Sequence, residues 1–421
     1  MEKKSFNTTL WTRIAIINLF IVALAGIALR YKINFSLPAV NHKYLLHAHS
    51  HFAFAGWAAL ALMALMTHYL QRQGRSAIDY RKYHWILAVN CISAYGMLIA
   101  FFFQGYAFFS ISFSTLSIFV SYFFAYYYWR DLNKLRDGSH ARPWLRTSLV
   151  LWVFSSIGAF TLAYLMANRI TSQDYYFGAI YFFLHFQYNG WFLFACFGLL
   201  FSLLFQQEGA VAGVPLKRLF LVMMITVWPT YFLSILWLKL PDAIYWIANI
   251  SGILQLAAVF YFVRLLFYLK KENRFRLSGI TRYLWGLASV AFVIKIILQA
   301  LSIIPSLSKY AFGYRAVVVG YLHLSFLGII SFFILGYINQ SLSGKKNFLP
   351  AGGVMLFVAG VILQELILMF QGLEAIEFKV LPHANIILFY TTILIGAGLA
   401  WIALKMSGAK QEEQGGAVIP D

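Results

Sequence analysis

Twelve long apolar runs, separated by short polar loops, leave this chain one class of structure to adopt. A run of about 20 apolar residues crosses a hydrocarbon layer as a helix, and lipid offers no partner to a stray backbone N–H or C=O. The limits read from the sequence are residues 11–30, 44–70, 84–104, 107–129, 144–167, 174–205, 217–238, 243–268, 282–304, 313–339, 348–371 and 382–405. The expectation is an all-α membrane protein of twelve transmembrane helices: one polytopic domain over 1–410, then a polar, disordered cytoplasmic tail over 411–421. Only 11% of the residues are charged, which excludes a soluble domain. Little more than Gln104-Gly105 divides spans three and four, so a tight hairpin is expected there, and Pro229 is a candidate helix break in span seven. No clear internal repeat is evident.

The net charge of +19 does not point to nucleic acid, because the basic residues sit in short loops between spans. Their distribution sets an expected orientation. With the N-terminus inside, the inner segments carry about 24 Lys and Arg and the outer ones about 8. The inner clusters are Arg72, Arg75, Arg81 and Lys82; Arg130, Lys134, Arg136 and Arg142; and Lys270, Lys271, Arg274 and Arg276. Both termini are then cytoplasmic, in a bacterial inner membrane. Lys3, Lys4 and Arg13 precede or open the first run without a small-residue cleavage site, which reads as a retained span. Cys91 and Cys196 fall inside apolar runs and imply no disulfide framework.

Ionisable side chains inside a membrane are expensive and mark function. Span two opens Leu46-His47-Ala48-His49-Ser50-His51-Phe52-Ala53-Phe54-Ala55-Gly56-Trp57. His47 and His51 share a helix face, and His49 points roughly opposite. Span six carries His185, Gln187, Tyr188 and Asn189, a polar cluster that must satisfy itself internally. Span ten places His323 between Gly320 and Gly328. In the expected orientation all three spans start at the outer face, and at ~1.5 Å per residue His51, His185 and His323 lie about 12–17 Å below it. Three imidazoles in one layer point to a bound prosthetic group, since imidazole is a preferred ligand of haem iron and of copper. Gly56 would leave room for a flat macrocycle. The plainer alternatives are a snorkelling His47, a hydrogen-bonded His185 and a core His323. Lys295 in span nine and Glu365 in span eleven form either an ion pair or a proton path, with Gln299 and Gln364 close by in sequence. His383 lies shallower, at the start of span twelve, while His68, His84 and His140 carry no assigned chemistry.

Twelve spans with histidines on two, six and ten resemble subunit I of the haem-copper oxidase superfamily, the cytochrome c oxidase subunit I type. The His49-Ser-His51-Phe-Ala-Phe-Ala-Gly56-Trp57 stretch is similar to the span-two motif of its divergent members, and to the His-Ala-His stretch of the NnrS family. That resemblance implies a respiratory electron-transport protein holding haem b between His49 or His51 and His323. It also implies a copper ligand at His185, with Tyr188 nearby as a catalytic candidate and His383 as a spare metal ligand. Reduction of oxygen or nitric oxide, a quinol or cytochrome donor and accessory subunits would follow. The chain departs from the pattern in span seven, Val227-Trp228-Pro229-Thr230-Tyr231, which has no histidine, and in span ten, which has one. The alternatives from other classes are a membrane transporter and a non-catalytic haem-handling or sensor protein on the same scaffold.

Overall fold

The structure is a computed structural model and describes residues 5–73, 78–135, 139–205, 215–271, 277–342, 348–376, 379 and 381–415. Lys3, Lys4, Arg75, Arg136, Arg274, Arg276 and tail residues 416–421 lie outside the described residues. The described residues include no strand. Eleven of their helices are long and apolar enough to cross a membrane, and twelve if the bent pair Leu216–Thr226 and Pro229–Ile235 counts as one span. The chain is a multi-pass, all-helical membrane protein.

The spans are Thr8–Asn34, His42–Arg72, Arg81–Gln104, Phe108–Leu132, Arg142–Ala167, Gln173–Leu204, the bent pair, Asp242–Lys271, Gly279–Leu301, Arg315–Leu342, Ala351–Glu374 and Ala384–Met406. They answer the twelve apolar runs one for one. The helix of span twelve is drawn on through Gly415, covering the first residues expected to be tail. A short helix, Pro305–Gly313, between spans nine and ten was not anticipated. The hairpin between spans three and four turns at Gly105, whose φ of 62° lies in the left-handed region. A Cβ there would also stand 2.4 Å from the Tyr44 ring, so this position requires glycine twice over. Span seven bends by 51° at the break before Pro229. Proline lacks the N–H of the α-helical ladder, and the backbone tightens to a 3₁₀ turn over Pro229–Ile235.

Contacts divide the chain into two compact units. The first comprises residues 1–120, 278–284 and 334–421. Within it span eleven packs along span twelve, span twelve along span one, and span two along both one and three. Spans eleven and twelve approach through Gly353, Gly360 and Gly398, where small residues let backbones touch. Span one is tied further by Thr8 to His68 Nδ1 (2.9 Å) and by the Trp11 indole donating to His84 Nδ1 (2.9 Å).

The second unit comprises residues 121–277 and 285–333. Its core is aromatic. Trp144 of span five stands 4.8 Å from Phe197 of span six, which meets Phe262 of span eight and Phe292 of span nine at 5.8 and 5.6 Å. Trp152 and Trp191 stack face to face at 4.0 Å. Aromatic pairs of this kind contribute about 0.5–1.5 kcal/mol beyond the area they bury.

The three histidine-bearing spans are the most enclosed. Span two is 89% buried over its apolar window, span six 78% and span ten 56%, whereas no other measured span exceeds 50%. These same three leave α-helical geometry. Span two is α-helical over His42–Phe52 and π-helical over Ala53–Ala59; span six over Gln173–His185 and Phe186–Phe192; span ten over Arg315–His323 and Leu324–Ser331. π-Helical turns are rare and gather at functional sites. Here each follows a histidine by no more than one residue.

Candidate functional site

The coincidence of histidine and π-turn exposes a repeat that sequence reading missed. His51-x-x-Phe54-x-Gly56-Trp57, His185-x-x-Tyr188-x-Gly190-Trp191 and His323-x-x-Phe326-x-Gly328-Ile329 share one spacing: histidine, aromatic three on, glycine five on. Three matched positions in seven are too few to stand out along an apolar chain. The glycines admit neighbours. A Cβ on Gly190 would sit 2.8 Å from Leu151 of span five, and one on Gly328 3.3 Å from Ala291 of span nine. At Gly56 the neighbour is its own helix: a Cβ would meet the Phe52 ring at 2.8 Å. Glycine at this position therefore admits the Phe52 ring.

In the first unit the π-turn of span two is held by side chains from both flanking helices. Asn18 donates to the Gly56 carbonyl at 2.7 Å and Asn90 to the Ala55 carbonyl at 2.9 Å. The Tyr95 hydroxyl donates to Asn18 Oδ1 at 2.7 Å. Such partners are needed where i→i+5 bonding displaces carbonyls from the regular ladder.

The three histidines of this span have different environments. His51 stacks on Phe101 at 4.3 Å, and its Nε2 lies 3.2 Å from the Tyr106 hydroxyl. His47, one turn earlier on that face, sets its ring edge to Tyr106 at 4.7 Å, and its buried Nε2 has no partner. His49 faces the other way. Its Nδ1 lies 3.0 Å from the Val22 carbonyl of span one, with Gly26 and Thr392 beside the ring. A carbonyl only accepts, so Nδ1 carries the proton and Nε2 carries the lone pair. No other hydrogen bond to His49 is present among the described residues. One nitrogen anchored on a carbonyl and the other open is the arrangement of metal-ligating imidazoles. Of His49 and His51, both expected as ligands, each makes one hydrogen bond through its ring, but only the partner of His49, a carbonyl, fixes which nitrogen carries the proton.

In the second unit His185 is engaged on both sides. Its Nε2 donates to the Val227 carbonyl at 2.8 Å, and its Nδ1 accepts from Asn189 at 3.1 Å. The break in span seven supplies that carbonyl. In a continuous α-helix Val227 would receive the Tyr231 N–H, which turns instead to Trp228 at 3.3 Å. Span seven thus meets His185 through its backbone rather than through a histidine. With both nitrogens used, His185 is a hydrogen-bonded core histidine in this structure and offers a metal no lone pair. Tyr188, expected beside it as a catalytic group, sets its ring edge to Phe326 at 6.0 Å. Gln187 donates to Ser155 at 2.9 Å.

Lys295 is 2% exposed and donates to Gln299 one turn on, at 2.8 Å; the Tyr321 hydroxyl reaches the same amide oxygen at 3.4 Å. Glu365 keeps one buried carboxylate oxygen without a partner. Lys295 belongs to the second unit and Glu365 to the first. His323 stands half-buried at its α-to-π junction. His383 is exposed, in a left-handed turn with φ 58° before span twelve, outside any polar cluster. Among the described residues no three His, Cys, Asp or Glu side chains come together as a metal-ion site. Cys91 and Cys196 are both free thiols.

No family model matches this chain, and no curated protein matches it.

Proposed function

We propose that this chain is a haem-binding electron carrier of the haem-copper oxidase subunit I type, in a bacterial inner membrane with both termini cytoplasmic. The observation that carries the reading is the His49 imidazole, held by the Val22 carbonyl with its Nε2 open. It is supported by the confinement of π-helical turns to the three histidine-bearing, most enclosed spans. His49 would hold the haem, and the chemistry the group would supply when bound is one-electron transfer, from a quinol or cytochrome donor. The chain's own residues orient the site: Val22 fixes the His49 tautomer, while Phe101 and Tyr106 hold His51 on the opposite face.

A copper centre at His185 does not fit, because Val227 and Asn189 occupy both ring nitrogens; oxygen or nitric oxide reduction is therefore no part of this proposal. The bent seventh span and the buried Lys295 favour a second reading, a transporter with a broken helix.

Absorption spectroscopy of the purified, dithionite-reduced protein separates the two. The electron carrier gives a haem b α-band that His49→Ala abolishes and His51→Phe retains. Colourless parent protein, expressed with ample haem, would refute the carrier and leave the transporter. Loss of the band in His51→Phe but not in His49→Ala would overturn the ligand assignment alone.

A further inference from the structure

Spans four and five of the second unit leave a groove open along their length, with a volume of about 580 Å³. That lies within the ~300–1,000 Å³ range of ligand pockets. Its walls include Tyr122, Tyr126, Val153 and Ile157, with Arg130 at one end. The hydroxyls of two lining residues, Tyr122 and Ser156, bond to each other at 2.6 Å, so little hydrogen-bonding capacity remains inside. The lining holds no acidic side chain.

The end marked by Arg130 is strongly basic. Arg130 is exposed and leans on the Tyr126 ring, 5.6 Å from its centroid. Arg146 lies over Trp129, 5.2 Å from the ring centroid, and its buried Nε has no partner. Of the carboxylates close by in sequence, Asp131 is paired with Lys134 at 2.7 Å, and Asp137 lies outside the described residues. Basic residues outnumber acidic ones at this end, Arg130, Lys134, Arg136, Arg142 and Arg146 against Asp131 and Asp137, while the rest of the groove lining is mostly apolar.

We infer that this groove is a binding site for an anionic phospholipid, with an acyl chain along Val153 and Ile157 and the phosphate at Arg130 and Arg146. Charge complementarity selects the occupant. A zwitterionic headgroup carries a choline or ethanolamine cation into a cluster of arginines, whereas phosphatidylglycerol brings negative charge alone. Basic pockets between spans on the cytoplasmic side favour anionic lipids on this ground, and the loop charges place this end there.

The test is thermal unfolding of the delipidated full-length protein in dodecyl maltoside, titrated with dioleoylphosphatidylglycerol, dioleoylphosphatidylcholine or sn-glycerol 1-phosphate. Phosphatidylglycerol should stabilise at concentrations at least tenfold below those of phosphatidylcholine, and glycerol phosphate alone should not stabilise. Arg130→Gln and Arg146→Gln should each weaken the phosphatidylglycerol response about fivefold. Val153→Trp should weaken the response to both lipids, with the lipid-free melting temperature unchanged. Equal responses to the two lipids, full response in the double Arg→Gln variant, or stabilisation by glycerol phosphate would each overturn the inference. All readouts are independent of haem content.

Discussion

Replacing Asn18 of span one with leucine removes the side chain that joins the π-turn of span two to span three. Asn18 is fully buried, donates to the Gly56 carbonyl at 2.7 Å and accepts from the Tyr95 hydroxyl at 2.7 Å. Leucine has similar bulk, so a cavity contributes little and the change reports the two hydrogen bonds. In a soluble core each orphaned polar group costs about 1–3 kcal/mol. Interhelical bonds in membranes measure lower, averaging ~0.6 kcal/mol, because the membrane-unfolded chain also finds partners. Two orphans on a helix with displaced carbonyls then place Asn18→Leu at about 1–3 kcal/mol. Tyr95→Phe removes one bond without burying a new polar group on its own side, and should cost about 1 kcal/mol. Once Asn18 is gone the Tyr95 hydroxyl has lost its acceptor, so the double variant should resemble Asn18→Leu alone, a coupling of about 1 kcal/mol. SDS-driven unfolding in mixed micelles, followed by circular dichroism, measures all three. An Asn18→Leu effect below ~0.3 kcal/mol, or strict additivity with Tyr95→Phe, would show that these contacts do not hold the π-turn.

Trp191→Ala opens the stacked pair with Trp152 in a fully buried site and should destabilise by about 3–5 kcal/mol in the same unfolding assay, the range for large aromatic truncations in cores. Gly398→Leu would bring a Cβ to 2.4 Å from the Phe357 backbone nitrogen, so spans eleven and twelve must separate; lower yield of monodisperse protein in size-exclusion chromatography is expected, whereas Gly279→Leu, with open space around it, should leave the yield unchanged. Green fluorescent protein fused after Lys410 should fluoresce and alkaline phosphatase at the same point should stay inactive; the reverse pattern would invert the orientation inferred from loop charge.

The number and limits of the spans were legible in the sequence because transfer into lipid is a sum over consecutive residues and needs no knowledge of neighbours. So was the break in span seven, since Pro229 removes its own donor wherever it sits. The ranking of His47, His49 and His51 was not legible. Three imidazoles spaced two apart differ only in what other helices present to them: the Val22 carbonyl to His49, Phe101 and the Tyr106 hydroxyl to His51. His185 read equally well as ligand or core residue until the bent span released the Val227 carbonyl beside it. The π-turn of span two was not legible either, because its displaced carbonyls depend on Asn18 and Asn90, donated by the flanking helices. Sequence alone determined that histidines enter the membrane on three spans. Tertiary structure decided at which imidazole a carbonyl fixes the tautomer, because tautomer and orientation are set by partners distant along the chain.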